Sequence, residues 1–286
     1  MENYAVIGYP LGHSLSPELH RRLWEIAPCG ECSYEILELP PNKLKFKITK
    51  KRLLKLRGFN VTIPLKTGII PLLDGLDDAA SKIGSVNTVS KRDGKLFGYN
   101  TDIFGLTLAL AKYKMPINKK VLVYGCGGSA RSAAAAVIKA GGELTVAARD
   151  IKKAEIFKDS FRDFRKDAKI EVLPIDHIGE YETVINCTPA GMFKADNEKA
   201  VLDCAVPDEV IKNCSNIYDL VYNPKLTELV KRGRAAGKNA ESGMSMLVYQ
   251  AIFAQQIWRD DFMFSEIMST SGIANALIDE FSAKFN

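Results

Sequence analysis

Val121-Leu122-Val123-Tyr124-Gly125-Cys126-Gly127-Gly128-Ser129-Ala130 is the stretch that decides the fold class of this chain. An apolar, β-branched run breaks on three glycines and gives way to alanine-rich sequence over 129–140, so a strand passes through a tight turn into a helix. Glycines at such a junction let a pyrophosphate approach the backbone. The helix N-terminus beyond them offers N–H groups and the positive end of its dipole. The pattern is G-x-G-G-x-x rather than the commoner G-x-G-x-x-G, and the same physics serves both. Gly125, Cys126, Gly127, Gly128, Ser129 and Ala130 are therefore candidates for holding a dinucleotide, with a turn kept only for packing as the competing reading.

The end of the following strand, 144–148, should declare which dinucleotide is used. A carboxylate there accepts from a ribose 2′-hydroxyl, whereas an arginine accommodates a 2′-phosphate. The sequence reads Ala147-Ala148-Arg149-Asp150, with Lys153 in the next turn. Arg149 and Lys153 argue for NADP and Asp150 for NAD. The balance leans to NADP, because a carboxylate can turn into solvent while an arginine at this position is otherwise hard to explain.

Working outward, strands are expected at 170–173, 183–186 and 217–220. Upstream, runs at 4–8, 34–39 and 58–63 alternate with a helix over 16–26, a βαβ rhythm that implies a mostly parallel sheet. Ser16-Pro17-Glu18 reads as an N-cap serine, a proline at the first helical position and an acid in the first turn. Asp93-Gly94 between 86–90 and 95–99 is a hairpin signal, followed by a helix over 103–113. Past Ser242 the chain turns helical, over 246–259 and 271–285, and these helices are expected to pack back on the first domain. The expected fold is thus α/β with two domains: residues 1–103 with 244–286, and a Rossmann-like unit over 104–243.

A length of 286 residues suits one large or two medium domains. A 47% hydrophobic content with 26% charged residues excludes a fibre or a disordered tail. The net charge of +5 is too small to imply a nucleic-acid partner. The basic run from Lys43 to Arg57 reads as a solvated helix face, since Phe46 is its only aromatic. No stretch reaches the ~18–20 apolar residues of a membrane span, and a cytoplasmic protein with reduced cysteines is expected. Cys29-Gly30-Glu31-Cys32 has the spacing of a redox pair or half a zinc site. Nothing completes a tetrahedron, so no metal is expected and the plain reading is two loop cysteines.

Oxidising an alcohol with a nicotinamide requires a base for the O–H proton, and an acid in the return direction. Lys66, closing Asn60-Val61-Thr62-Ile63-Pro64-Leu65-Lys66, and Asp102, closing Tyr99-Asn100-Thr101-Asp102, both follow strand ends, where ligand crevices form in open sheets. Ser14 and Ser16, two apart in the loop after the first strand, suit a carboxylate or a diol.

Together these segments resemble the shikimate dehydrogenase family over the full length. The resemblance rests on Gly8 to Pro17, Asn60 to Lys66, Gly84-Ser85-Val86-Asn87-Thr88, Asn100-Thr101-Asp102 and the glycine turn. It continues through Asn186 to Met192, Tyr218 to Pro224 and Met246 to Ala251, in family order. It implies NADPH-dependent reduction of 3-dehydroshikimate to shikimate, by a monomer or homodimer acting on small molecules. It assigns Lys66 as acid/base paired with Asp102, and Ser14 and Ser16 to the substrate carboxylate. Thr62, Asn87, Asp102 and Gln250 fall to the ring hydroxyls, with Tyr222 nearby. Cofactor contacts fall to 125–130, Arg149, Asp150, Lys153, Thr188, Leu220 and Gly243, with Asp78 as a further candidate. The chain departs from the family at Ala148-Arg149-Asp150, where Asn-Arg-Thr is usual, at Arg21, and at Ser245. An NAD-preferring quinate/shikimate dehydrogenase and a catalytically inactive ligand sensor are the alternatives, the first favoured by Asp150 and the second opposed by the presence of both Lys66 and Asp102.

Overall fold

Residues 1–12, 14–43, 46–194, 197–201, 204 and 206–284 are described by a computed structural model. His13, Leu44, Lys45 and the end of the last expected helix at Phe285 lie outside them.

The first unit comprises residues 1–102 and 250–274. It begins with β1 (Glu2–Gly8), α1 (Ser16–Ile26), β2 (Cys32–Glu38), α2 (Phe46–Leu53) and β3 (Gly58–Val61). There follow β4 (Gly75–Leu76), α3 (Asp78–Ile83), β5 (Thr88–Arg92) and β6 (Lys95–Tyr99). The six strands form one sheet in the order β2-β1-β3-β5-β6-β4. β1 pairs in parallel with β2 and β3, and β4 with β6. The hairpin turns β5 and β6 antiparallel, with Asp93 and Gly94 both at positive φ, as a tight two-residue turn demands. Val86 and Val89 are buried with Ile7, Phe59, Val61 and Leu65 in one core.

One detail of α1 differs from expectation. Leu15 already has helical dihedrals (φ −81°, ψ −6°), so Ser16 is the first helical residue and not the N-cap. The Ser14 hydroxyl instead accepts from the Ser16 N–H at 3.4 Å. The basic run is also less solvated than expected: Lys50 pairs with Asp74 at 2.6 Å, Arg57 with Glu2 at 3.3 Å, and Leu53 and Leu56 are core residues.

The second unit comprises residues 103–249 and 275–286. α4 (Asp102–Lys112) leads into β7 (Lys120–Tyr124), α5 (Gly128–Lys139), β8 (Glu143–Ala148), α6 (Ile151–Asp159), β9 (Ile170–Pro174) and β10 (Tyr181–Asn186). A small antiparallel pair, β11 (Phe193–Lys194) and β12 (Asn197–Val201), precedes α7 (Asp208–Lys212), β13 (Cys214–Asp219), α8 (Glu228–Ala235) and β14 (Asn239–Ser242). The second sheet has the order β14-β13-β10-β7-β8-β9, every pairing parallel. This is the doubly wound order, with its reversal at β7 and β10. β14 reads Asn-Ala-Glu-Ser and carries no strand-forming side chain, so only its pairing with β13 makes it a strand.

α9 (Met244–Arg259), α10 (Phe264–Thr270) and α11 (Ile273–Ala283) end the chain. The units change over at 102/103 and 249/250, rather than at 103/104 and 243/244. Residues 275–286, expected with the first unit, group with the second, where Lys112 donates to Asn275 at 2.6 Å.

Candidate functional site

In the first unit the ends of β3, β5 and β6 bring a set of polar side chains together below the surface. Lys66 Nζ lies 2.6 Å from Asp102 Oδ2, with side chains only 12% and 5% exposed. Asn87 holds the other face of the carboxylate: its Nδ2 lies 2.8 Å from Asp102 Oδ1, 2.8 Å from Thr101 Oγ1 and 3.3 Å from Gln250 Oε1. The Thr101 N–H returns a bond to Asn87 Oδ1 at 2.7 Å. Both carboxylate oxygens therefore have donors, and a charge taken out of water is compensated only when paired and hydrogen-bonded in this way.

Behind this group the network continues. Asn60 Nδ2 donates to Thr88 Oγ1 at 3.2 Å, Thr88 Oγ1 lies 3.1 Å from Thr101 Oγ1, and the Tyr34 hydroxyl donates to Asn60 Oδ1 at 2.6 Å. Tyr34 stacks on His20, ring centroids 4.6 Å apart and planes 11° apart. The Gln255 carboxamide reaches His20 Nδ1 at 2.9 Å, and Gln255 Oε1 accepts from Arg259, so the amide nitrogen faces the imidazole and Nδ1 accepts. That leaves the proton on Nε2, which is buried with no hydrogen-bond partner among the described residues. Burial lowers the His20 pKa to about 3, with Asn60 pulling weakly the other way. Asn60, Thr101 and Tyr34 received no role from sequence. Asn60 is a polar residue in the fully buried β3, whereas Tyr34 lies in the partly exposed β2 and Thr101 in the connection after β6.

The remaining first-unit candidates are Thr62, which follows β3, and Ser14 and Ser16 at the start of α1. Asp78 is in the first turn of α3, where its carboxylate pairs with Lys82 at 2.8 Å.

In the second unit the dinucleotide candidates sit at the ends of β7, β8, β10 and β13 that lead toward helices. Gly125 has φ +99°, and a Cβ there would stand 3.1 Å from Thr188 Cγ2, so this candidate pair is adjacent. Gly127 takes the N-cap position of α5 with no side chain to occupy it. A Cβ on Gly243 would collide with the Leu220 carbonyl, which sets these two together as well. Beneath them Asp219 is fully buried. It accepts from Asn186 at 2.9 Å, the Val221 N–H at 3.1 Å and Thr227 at 2.7 Å, and burial raises its pKa to about 6. Asn186 Oδ1 in turn accepts from the Thr188 N–H and hydroxyl at 3.0 and 2.6 Å. This Asp219–Asn186 support was not assigned from sequence. Tyr222 follows β13 in this unit.

Arg149 and Asp150 are both exposed at the end of β8. Asp150 is the N-cap of α6, accepting from the Lys153 N–H at 3.1 Å, with Lys153 Nζ 3.5 Å from its other oxygen. A carboxylate so engaged has a helical role that owes nothing to a ribose. The glycine turn, a helix start with glycine at its N-cap and two exposed cations at or just after the β8 end fit a phosphorylated dinucleotide.

The model of the shikimate dehydrogenase substrate binding domain matches residues 6–89. The shikimate dehydrogenase (NADP(+)) of Clostridium beijerinckii is 34% identical over 283 residues, covering 98% of this chain and all of that one. The chain belongs to the shikimate dehydrogenase family. Among solved structures, shikimate dehydrogenase 1 from Peptoclostridium difficile superposes with a TM-score of 0.83 at 30% identity, covering 100% of this chain and 99% of that one. Shikimate 5-dehydrogenase from Thermus thermophilus, solved with NADP(H) and shikimate, gives 0.77 at 31% identity, covering 97% and 98%. No helix among the described residues is long and apolar enough to cross a membrane.

Proposed function

We propose that this chain is an NADP-dependent shikimate dehydrogenase, reversibly reducing 3-dehydroshikimate to shikimate. The observation that carries the reading is the Lys66–Asp102 pair, shielded from solvent and locked by Asn87. The nicotinamide supplies the hydride in reduction and accepts it in oxidation. Lys66 gives its ammonium proton to the carbonyl oxygen as that oxygen becomes an alkoxide, and takes it back in the reverse direction. Asp102 holds Nζ in line and balances its charge, and Asn87 fixes the carboxylate so that no reorganisation is needed when the proton moves.

Ser14 and Ser16 bind the substrate carboxylate by hydroxyl donation, and Thr62, Asn87, Asp102 and Gln250 bind ring hydroxyls. Residues 125–130, Thr188, Leu220 and Gly243 hold the dinucleotide backbone, and Arg149 with Lys153 its 2′-phosphate. Asp78, engaged with Lys82, has the weakest support for a cofactor role. The enzyme works in the cytoplasm as a monomer or homodimer.

The test is turnover of shikimate with NADP and with NAD, followed by absorbance of the reduced nicotinamide. Turnover with NADP well above NAD is expected. Turnover confined to NAD would overturn the 2′-phosphate assignment, and none with either cofactor would overturn the reaction.

A further inference from the structure

Cys29 and Cys32 take no part in the chemistry above, yet their Sγ atoms lie 3.7 Å apart. Two backbone features hold them so. Gly30 has φ +98°, a conformation that glycine adopts without the Cβ clash other residues meet, and it folds the loop back between the two cysteines. The Glu31 carbonyl accepts from the Glu2 N–H at 2.8 Å, and Cys32 is paired with Glu2 at the start of β2. One half of the motif is therefore fixed to the sheet. Cys32 packs against the cluster of Tyr4, Trp24, Tyr34 and Trp258, while Cys29 stands exposed at the surface.

We propose that Cys29 and Cys32 form a reversible dithiol–disulfide site that exchanges with low-molecular-weight disulfides of the glutathione type. A disulfide needs its sulfurs about 2 Å apart, so closure asks for an approach of under about 2 Å between side chains already turned toward each other. The reaction proceeds in two exchanges. The Cys29 thiolate attacks one sulfur of the small disulfide, forming a mixed disulfide and releasing one small thiol. The Cys32 thiolate then attacks the Cys29 sulfur, closing the ring and releasing the second. Two protein thiols are oxidised, one small disulfide is reduced to two thiols, and the protons lost by the protein appear on those thiols. The order follows from access. It also follows from the Cys32 thiol, which burial first, then Cys29 and the Glu2 carboxylate, push up to about 12 against an opposing pull from Arg259. A half-buried thiol held protonated is a slow first nucleophile, and becomes effective once its partner sulfur is tethered beside it.

The site is tested on the whole folded chain, independently of its enzymatic activity. The protein is equilibrated with excess oxidised glutathione, remaining thiols are alkylated, and the digest is weighed. Tryptic cleavage after Arg22 and Lys43 yields residues 23–43, which hold these two cysteines and no others. The expected product is this peptide without alkyl or glutathione label and about 2 Da below the dithiol mass, restored by a reducing agent. Cys32→Ser is expected to stall with glutathione on Cys29, and Cys29→Ser to leave Cys32 unmodified over the same time. Recovery of the wild-type peptide doubly alkylated, or with a lasting glutathione adduct, would overturn the proposal, as would glutathionylation of Cys32 in the Cys29→Ser variant as fast as that of Cys29 in the Cys32→Ser variant.

Discussion

Acidification from pH 8 to pH 5 should act on the two units in opposite directions. His20 has an ordinary pKa of 6.5 that burial lowers to about 3. As pH falls below 6.5 the unfolded chain binds a proton that folded His20 refuses, so stability is lost at about 1.4 kcal/mol per pH unit. By pH 5 the first unit has lost about 2 kcal/mol on this account. Asp219 runs the other way. Its pKa is raised from 3.8 to about 6, so the folded state takes the proton first and stability is gained as pH falls through 6. That gain comes to about 1.4 kcal/mol at pH 5 for the second unit. Urea unfolding at the two pH values reads the sum, and single variants separate it. Both tryptophans, Trp24 and Trp258, lie in the first unit and report on it by fluorescence. Relative to wild type, His20→Phe should remove the acid-side loss, and Asp219→Asn should remove the gain. The comparison of pH slopes is insensitive to the lower starting stability that His20→Phe must have without its bond to Gln255. A His20→Phe slope equal to that of wild type would refute the reasoning.

Further outcomes follow from single contacts. Lys66→Ala should lower kcat about 10²- to 10⁴-fold while NADPH binding, read by nicotinamide fluorescence, is unchanged; near-normal turnover would remove Lys66 from its role. Asp102→Asn keeps an acceptor for Asn87 but leaves the Lys66 ammonium without its counter-charge, so kcat should fall while NADPH binding is unchanged. Asp150→Ser preserves a capping oxygen for α6 and frees Lys153, so the KM for NADP should fall about two- to fivefold, within the modest scale of exposed ion pairs. An unchanged KM would show that Lys153 does not meet the 2′-phosphate. In β3, Gly58→Ala places a methyl in the indole of Trp258, whose Nε1 donates to Val89 at 2.9 Å, and should cost about 2–3 kcal/mol in urea unfolding with kcat retained in the folded fraction.

What the sequence yielded depends on how local the cause was. The Lys120–Tyr124 strand and the glycine turn were legible because their periodicity and their glycines act within ten residues. So was the β5–β6 hairpin, whose Asp-Gly turn fixes its own register. β14 was missed because a strand of Asn-Ala-Glu-Ser exists only through its neighbour β13. The N-cap of α1 falls on Leu15, which already has helical dihedrals, while the Ser14 hydroxyl, three residues before the proline, accepts from the Ser16 N–H. At the candidate site Lys66 and Asp102 could be picked out as strand-end residues, and family likeness joined them. The buried relay through Asn60, Thr88, Thr101 and Tyr34 could not be read, since it depends on side chains from four separate elements meeting in space. Asp150 argued for NAD as an isolated letter, and the structure gives its carboxylate another occupation.

The way the first unit is completed bears on how the protein is made. Trp258, which donates to Val89, and Gln255, which meets His20, belong to residues 250–274, whereas the strands they cover end by residue 99. During vectorial synthesis residues 1–102 thus leave the ribosome well before the segment that completes their unit, waiting with Tyr4, Trp24 and Tyr34 uncovered until residues 103–249 have been added. Most of the second unit can fold in that interval, since β7 to β14 pair only with one another. A nascent chain halted before residue 250 would present an aromatic surface that its own C-terminal helices have yet to claim.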